Sequence, residues 1–79
     1  MKREEIYAQL NEVFRDTFDD DSITVCDETV ADDIDGWDSL MHISLIVNTE
    51  QSFGIKFSMG EVSTMKNVGA MVDAIASKL

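Results

Sequence analysis

Apolar residues recur at helical spacing near the start of the chain. Ile6, Leu10, Val13, Phe14 and Phe18 share one face, while Lys2, Glu4, Glu5, Gln9, Glu12 and Arg15 fall mostly on the other. This predicts an amphipathic helix over about residues 2–17. Asp19-Asp20-Asp21-Ser22 ends it. From Ile23 to Trp37 the apolar residues are scattered among acids, which predicts a long loop with at most one helical turn. Val25, Val30, Ile34 and Trp37 are the residues expected to pin that loop to a core. A second helix is expected from about Ser39 to Ser52, started by Asp38 as N-cap and stopped by Gly54. Its expected buried stripe is Leu40, Ile43, Ile46 and Val47, closed by Phe53. Ile55-Lys56-Phe57 reads as extended, and Ser58 or Met59 opens a short helix through Met65. Asn67 caps a last helix carrying Val68, Met71, Val72, Ile75 and Leu79.

The elements add up to an all-α fold. It is a small four-helix bundle of three main helices and one short helix, with a long first loop. At 79 residues the chain makes one domain, residues 1–79. A domain this size buries only about 60–65% of its unfolded surface, so its core is modest. Proline is absent and glycines number four, which favours helices over a β-rich fold.

Charge narrows the partners. Sixteen acidic and six basic residues give a formal net charge of −10. Nucleic acid and anionic membranes repel such a surface, whereas proteins with basic patches are steered towards it. Ten of the acids lie between Asp16 and Asp38, a stretch without Lys or Arg. Most of that run serves as a solvated loop. The same charge disfavours self-association, so a monomer is expected.

Cys26 is the only cysteine, so no internal disulfide forms, and the lone thiol fits a reducing compartment. It reads as a small semi-buried residue, since its acidic surroundings disfavour the thiolate. Met1-Lys2-Arg3-Glu4-Glu5 leads into no apolar signal region, and no apolar run reaches the ~20 residues of a membrane span. A cytoplasmic location is the expectation.

Candidate chemistry concentrates at Asp38-Ser39-Leu40, which follows Gly36-Trp37. Ser39 stands at the predicted helix start with its hydroxyl towards solvent. No histidine is spaced to activate it as a nucleophile, so it suits modification by another enzyme better than catalysis. Read structurally, Asp38 caps, Ser39 is the first helical residue and Leu40 begins the apolar stripe. No Ser/His/Asp set, metal-ligand set or Gly-rich phosphate loop is present, and an enzyme is not expected. His42 reads as an exposed helix residue with no second His and no Cys beside it. The acids around Asp33-Ile34-Asp35-Gly36 fail the EF-hand pattern, because His42 falls where the bidentate Glu would stand.

The Asp38-Ser39-Leu40 tripeptide, the acidity, the long first loop and Phe53-Gly54-Ile55 one helix later resemble the acyl carrier protein family. The resemblance covers nearly the whole chain and is strongest from Gly36 to Ile75. It implies a non-enzymatic carrier with 4'-phosphopantetheine attached covalently to Ser39 and acyl groups held on the arm as thioesters. A helix N-terminus tolerates the phosphodiester through its free N–H groups and dipole. Implied partners are a phosphopantetheinyl transferase and acyl- or aminoacyl-activating ligases, synthases or acyltransferases with basic docking patches. The implied partner-recognition residues are Asp38, Leu40, Met41, Ser44, Glu50 and Glu61. Asp38, Glu50 and Glu61 match the family's acidic face. Met41, His42 and Ser44 depart from it, since acids commonly stand at or near two of these positions, and Ser58 replaces a usual proline. These departures point to a specialised carrier with one or two dedicated partners.

By match to the family, Ile43, Val47, Phe57, Met65 and Met71 line an acyl pocket, although all five also serve an ordinary core. Phe57 and Met71 are bulky for their places and Thr49 adds a hydroxyl, so a cramped or polar-edged pocket and short or polar cargo are expected. Lipid, polyketide and related acyl biosynthesis all remain open as pathways. Gly36-Trp37 departs from the Gly-Gly common in nonribosomal aminoacyl carriers. A discrete aminoacyl carrier of the D-alanyl type is the runner-up. A different class, an acidic helical protein-interaction module without cofactor, would use the Asp16–Asp38 surface instead.

Overall fold

The computed structural model describes all of residues 1–79. Four α-helices and one 3-10 turn follow in order: α1 Arg3–Phe18, the turn Ala31–Asp33, α2 Ser39–Phe53, α3 Met59–Ser63 and α4 Val68–Lys78. The predicted elements are all present, and the long connection between α1 and α2 holds a single helical turn. Helix α1 packs on α2 and on α4.

The caps explain the boundaries. Asp38 accepts a hydrogen bond from the Met41 N–H at 2.8 Å, and Asn67 accepts one from Ala70 N–H at 2.8 Å. Gly54 ends α2 in the left-handed region at φ 66°, where a side chain would be strained. In α3, Ser58 and Glu61 cap each other reciprocally: Glu61 N–H donates to Ser58 Oγ and Ser58 N–H to Glu61 Oε1.

The core joins Ile6, Leu10, Val13 and Phe14 of α1 to Leu45, Ile46 and Phe53 of α2 and Val68, Met71, Val72 and Ile75 of α4. Ile23, Val25 and Ile55 close it from the connections. Burying these side chains supplies most of the stabilisation, at about 25 cal/mol per Å² of apolar surface removed from water. Thr49 is fully buried within the stripe, and its hydroxyl donates to the Leu45 carbonyl at 2.7 Å, so no polar atom is stranded.

Several expectations need correction. The buried face of α2 is Leu45, Ile46, Thr49 and Phe53, whereas Leu40 (76%), Ile43 (63%) and Val47 (43%) are exposed. Both sets recur at helical spacing. Only the one that meets α1 is dry, and Thr49 hid it by interrupting the apolar pattern. Val30 and Leu79 are exposed, so neither anchors the core. Cys26 is exposed rather than semi-buried, with its backbone N–H held by the buried Thr29 hydroxyl at 2.9 Å. His42 is half-buried, because it stacks on Trp37.

The first loop is tied to the N-terminal ends of α4 and α1. Val68 N–H donates to Thr29 O at 2.9 Å, and Gly69 N–H to Asp27 O at 3.1 Å. A Cβ on Gly69 would lie 3.0 Å from that Asp27 oxygen. Alanine is the better helix former by about 1 kcal/mol. Even so, Gly69→Ala should destabilise by about 1–3 kcal/mol, because the crowded neighbour is backbone and cannot swing aside. Urea unfolding checks the sign, and a more stable variant would show that the loop yields easily.

Asp27 also receives the Tyr7 hydroxyl and, at 2.9 Å, the Arg3 guanidinium, which reaches Asp73 at the same distance. The Tyr7 hydrogen bond, and after it that of Arg3, hold the Asp27 carboxyl below its ordinary range. Its contribution is therefore present above the unfolded value of about 3.9 and lost as pH falls through the lower folded value. Asp27→Asn should melt below the wild type at pH 7, and the gap should close on acidification towards pH ~3. A gap independent of pH would mean that charge plays no part.

Candidate functional site

Asp38, Ser39 and Leu40 form the head of α2. Asp38 supplies the cap, which leaves Ser39 as the first helical residue, exposed to solvent. Gly36 sits at φ 85° just before, so the chain can turn sharply from Trp37 into the helix. The α2 axis aims its positive dipole end and unpaired N–H groups towards the serine, a setting that favours an attached phosphate.

Trp37 is anchored inward. Its ring meets Phe14 edge-on with centroids 5.3 Å apart and lies 6.0 Å from Phe18. Its indole N–H donates to His42 Nδ1 at 3.1 Å, and the two rings stack at 6.0 Å. Burial pushes the His42 pKa below its ordinary value. Accepting at Nδ1 leaves the neutral ring with its proton on Nε2.

Beside Ser39 opens a cleft of about 420 Å³. Its lining includes Trp37, His42, Met65, Lys66, Asn67 and Met71, together with Asp38 and Ser39. Of the five residues expected to line an acyl pocket, Met65 and Met71 are brought to this cleft. Ile43 and Val47 lie on the outer face of α2, and Phe57 packs partly buried against the core. The sequence reading missed Lys66 and Asn67. Their signal was a lysine placed immediately before the cap of the last helix.

The six residues assigned to partner recognition divide into two groups. Asp38 caps α2, Glu50 accepts the Phe57 N–H at 2.8 Å, and Glu61 caps α3 while pairing with Lys78 at 2.9 Å. The Ser58 N–H, and then Lys78, hold the Glu61 carboxyl below its ordinary pKa. All three acids therefore have internal work. Leu40 and Ser44 are exposed and Met41 is half-buried. With Ile43 and Val47 they make the solvent face of α2 a largely apolar strip beginning next to Ser39.

The chain is 35% identical to an acyl carrier protein of Coprothermobacter proteolyticus, over all of this chain and 96% of the relative. It is 30% identical to one from Thermotoga maritima, over 98% of this chain and 95% of the relative. Its fold matches the solution NMR structure of a holo acyl carrier protein from Geobacter metallireducens with a TM-score of 0.86 and 49% identity. That match covers 91% of this chain and 83% of the other. No protein-family model matches the chain.

Fold and site thus place the chain among small helical carrier proteins. It belongs to the acyl carrier protein family. Like that family, it carries cargo rather than catalysing a reaction. No helix is long and apolar enough to cross a membrane.

Proposed function

We propose that Ser39 bears a 4'-phosphopantetheine arm and that the chain presents acyl groups to enzymes of lipid, polyketide or related biosynthesis in the cytoplasm. The observation that carries this reading is the exposed Ser39 at the head of a fifteen-residue helix capped by its neighbour Asp38. The site fits the group. The hydroxyl is free to be modified, the helix end suits a phosphodiester, and the adjoining cleft leaves room for an arm. When bound, the arm supplies a terminal thiol that holds acyl groups as thioesters. The protein's residues position it: Asp38 keeps the helix end formed, and the turn at Gly36 keeps the serine at the surface.

The partners are a phosphopantetheinyl transferase and the ligases, synthases or acyltransferases that load and unload the arm. The apolar strip on α2 favours a specialised carrier with few partners, since less of its docking rests on acid–base pairing. The packed interior, with Leu45, Thr49 and Met71 dry, favours short or polar cargo. Intact mass after incubation with coenzyme A and a promiscuous transferase tests the attachment. A gain of one phosphopantetheinyl group is expected, and no gain where a known carrier is modified refutes it.

Leu40 is the nearest exposed apolar side chain to the serine. Leu40→Glu should weaken binding to the transferase by about 1–2 kcal/mol, roughly 5–30-fold, with little change in stability. Titration calorimetry with apo protein measures this, and unchanged affinity would remove Leu40 from the docking face.

A further inference from the structure

The contact between Trp37 and His42 exists in one protonation state only. An indole N–H donates and cannot accept. Here it donates to His42 Nδ1 at 3.1 Å, so that nitrogen must be unprotonated. On an imidazolium both ring nitrogens carry protons, and no rotation of the ring restores an acceptor. A charged ring stacked on the indole keeps some cation–π attraction. Against that stand a lost hydrogen bond, two donors brought face to face and a charge held in a half-buried place, which together outweigh it.

The pair sits where such a change matters. Trp37 ends the long connection and His42 lies in the first turn of α2, so their bond closes over Asp38 and Ser39. Behind it the Trp37 ring meets Phe14 at 5.3 Å and Phe18 at 6.0 Å, which links the head of α2 to α1. The charged groups that share the cleft with His42 are Asp38, at the head of α2, and Lys66, in the connection before α4. The Asp38 carboxylate is engaged by Met41 N–H at 2.8 Å, and Lys66 disfavours a second cation. From α1 come the rings of Phe14 and Phe18 behind Trp37, and from α4 comes Met71, none of which titrates.

We propose that the Trp37–His42 pair is a proton-sensitive latch on the head of α2: the neutral imidazole holds the turn from Gly36 to Ser39 in place, and protonation releases it. Burial pushes His42 below its ordinary value of about 6.5, so release falls on the acid side of that value. The latch's contribution is fully present above about 6.5 and is lost as pH falls through the lower folded value. Its effect on modification rests on Ser39 being the attachment site. A looser turn presents the hydroxyl less often in the geometry a transferase accepts, which slows the reaction by the fraction released.

One tryptophan and one histidine make the test direct, because a nuclear magnetic resonance spectrum then holds one indole N–H and one imidazole. Titrating the full chain from pH ~8 to ~5 should move the indole signal and the amides of Gly36 to Met41. Their midpoint should match that of the His42 ring and lie below about 6.5. His42→Asn keeps an acceptor oxygen near the place of Nδ1 and does not titrate, so its indole signal should stay still over the same range. The wild type alone gives the first result, which keeps the test valid if the variant folds poorly. An indole signal that ignores protonation of the ring would overturn the proposal, and so would the same movement in a folded His42→Asn. The rate of phosphopantetheinylation by one transferase, wild type over His42→Asn at each pH, cancels the enzyme's own pH dependence. That ratio should fall about twofold or more between pH ~8 and ~5. A constant ratio beside a moving indole signal would overturn the latch's hold on the serine. Failure of both proteins to gain mass at every pH removes the attachment reading instead, and the spectra then decide the latch by themselves.

Discussion

Ser39→Ala should abolish phosphopantetheinylation completely while leaving the fold unchanged. The proposed attachment puts the bond on the Ser39 oxygen, so the loss should be total, and no other serine stands at the head of α2. The fold survives because Ser39 contributes nothing to the cap: Asp38 does so, through Met41 N–H at 2.8 Å. Alanine is also a favourable residue in the first helical turn. An exposed substitution of this kind stays within about 0.5 kcal/mol, or roughly 2–4 °C of melting temperature for a domain this size. Intact mass and a thermal melt read the two halves separately. Mass gain by the alanine variant would move the attachment elsewhere, and a large drop in melting temperature would give the serine a structural role. Asp38→Ala should cost about 1 kcal/mol of stability through the lost cap.

Helix ends were the most legible part of this chain. Asp38, Gly54, Ser58 and Asn67 act through local chemistry, the side-chain oxygen on a nearby N–H or the left-handed turn of glycine. Each sits where its residue type predicts. The side of α2 that faces the core was not legible. Leu40, Ile43, Leu45, Ile46 and Val47 surround the helix, so the pattern offered two faces, and the contact with α1 decides between them. The second face, Leu40, Ile43 and Val47, stays in solvent because no other element of the fold covers it. Ser39 was legible as an exposed serine at the head of a helix, but its surroundings were not. Trp37, Lys66 and Asn67 reach the cleft from two connections far apart in sequence. The acids were ambiguous for another reason. A Glu at position 50 or 61 looks the same whether it meets a partner's arginine or its own backbone, and here Glu50 holds Phe57 N–H and Glu61 holds Ser58 N–H.

Truncating Phe14 to alanine should cost about 3–5 kcal/mol, the usual range for emptying a buried aromatic site. Phe14 is the largest fully buried side chain of α1, and it stacks on Phe18 at 6.0 Å as well as meeting Trp37. A domain of 79 residues has about 4–12 kcal/mol in all, at ~0.05–0.15 per residue. The variant should therefore be marginally stable or unfolded at 25 °C, as urea titration followed by Trp37 fluorescence would show. The consequence reaches the site. Phe14 braces the Trp37 ring, Trp37 holds His42 through its indole N–H, and both line the cleft beside Ser39. In any folded fraction the Trp37 emission should shift to longer wavelength as water enters, and the His42 pKa should rise towards its ordinary value as burial is relieved. A loss below about 1 kcal/mol, with Trp37 emission unchanged, would mean that the core closes over the gap and that α1 does not set the geometry at the head of α2.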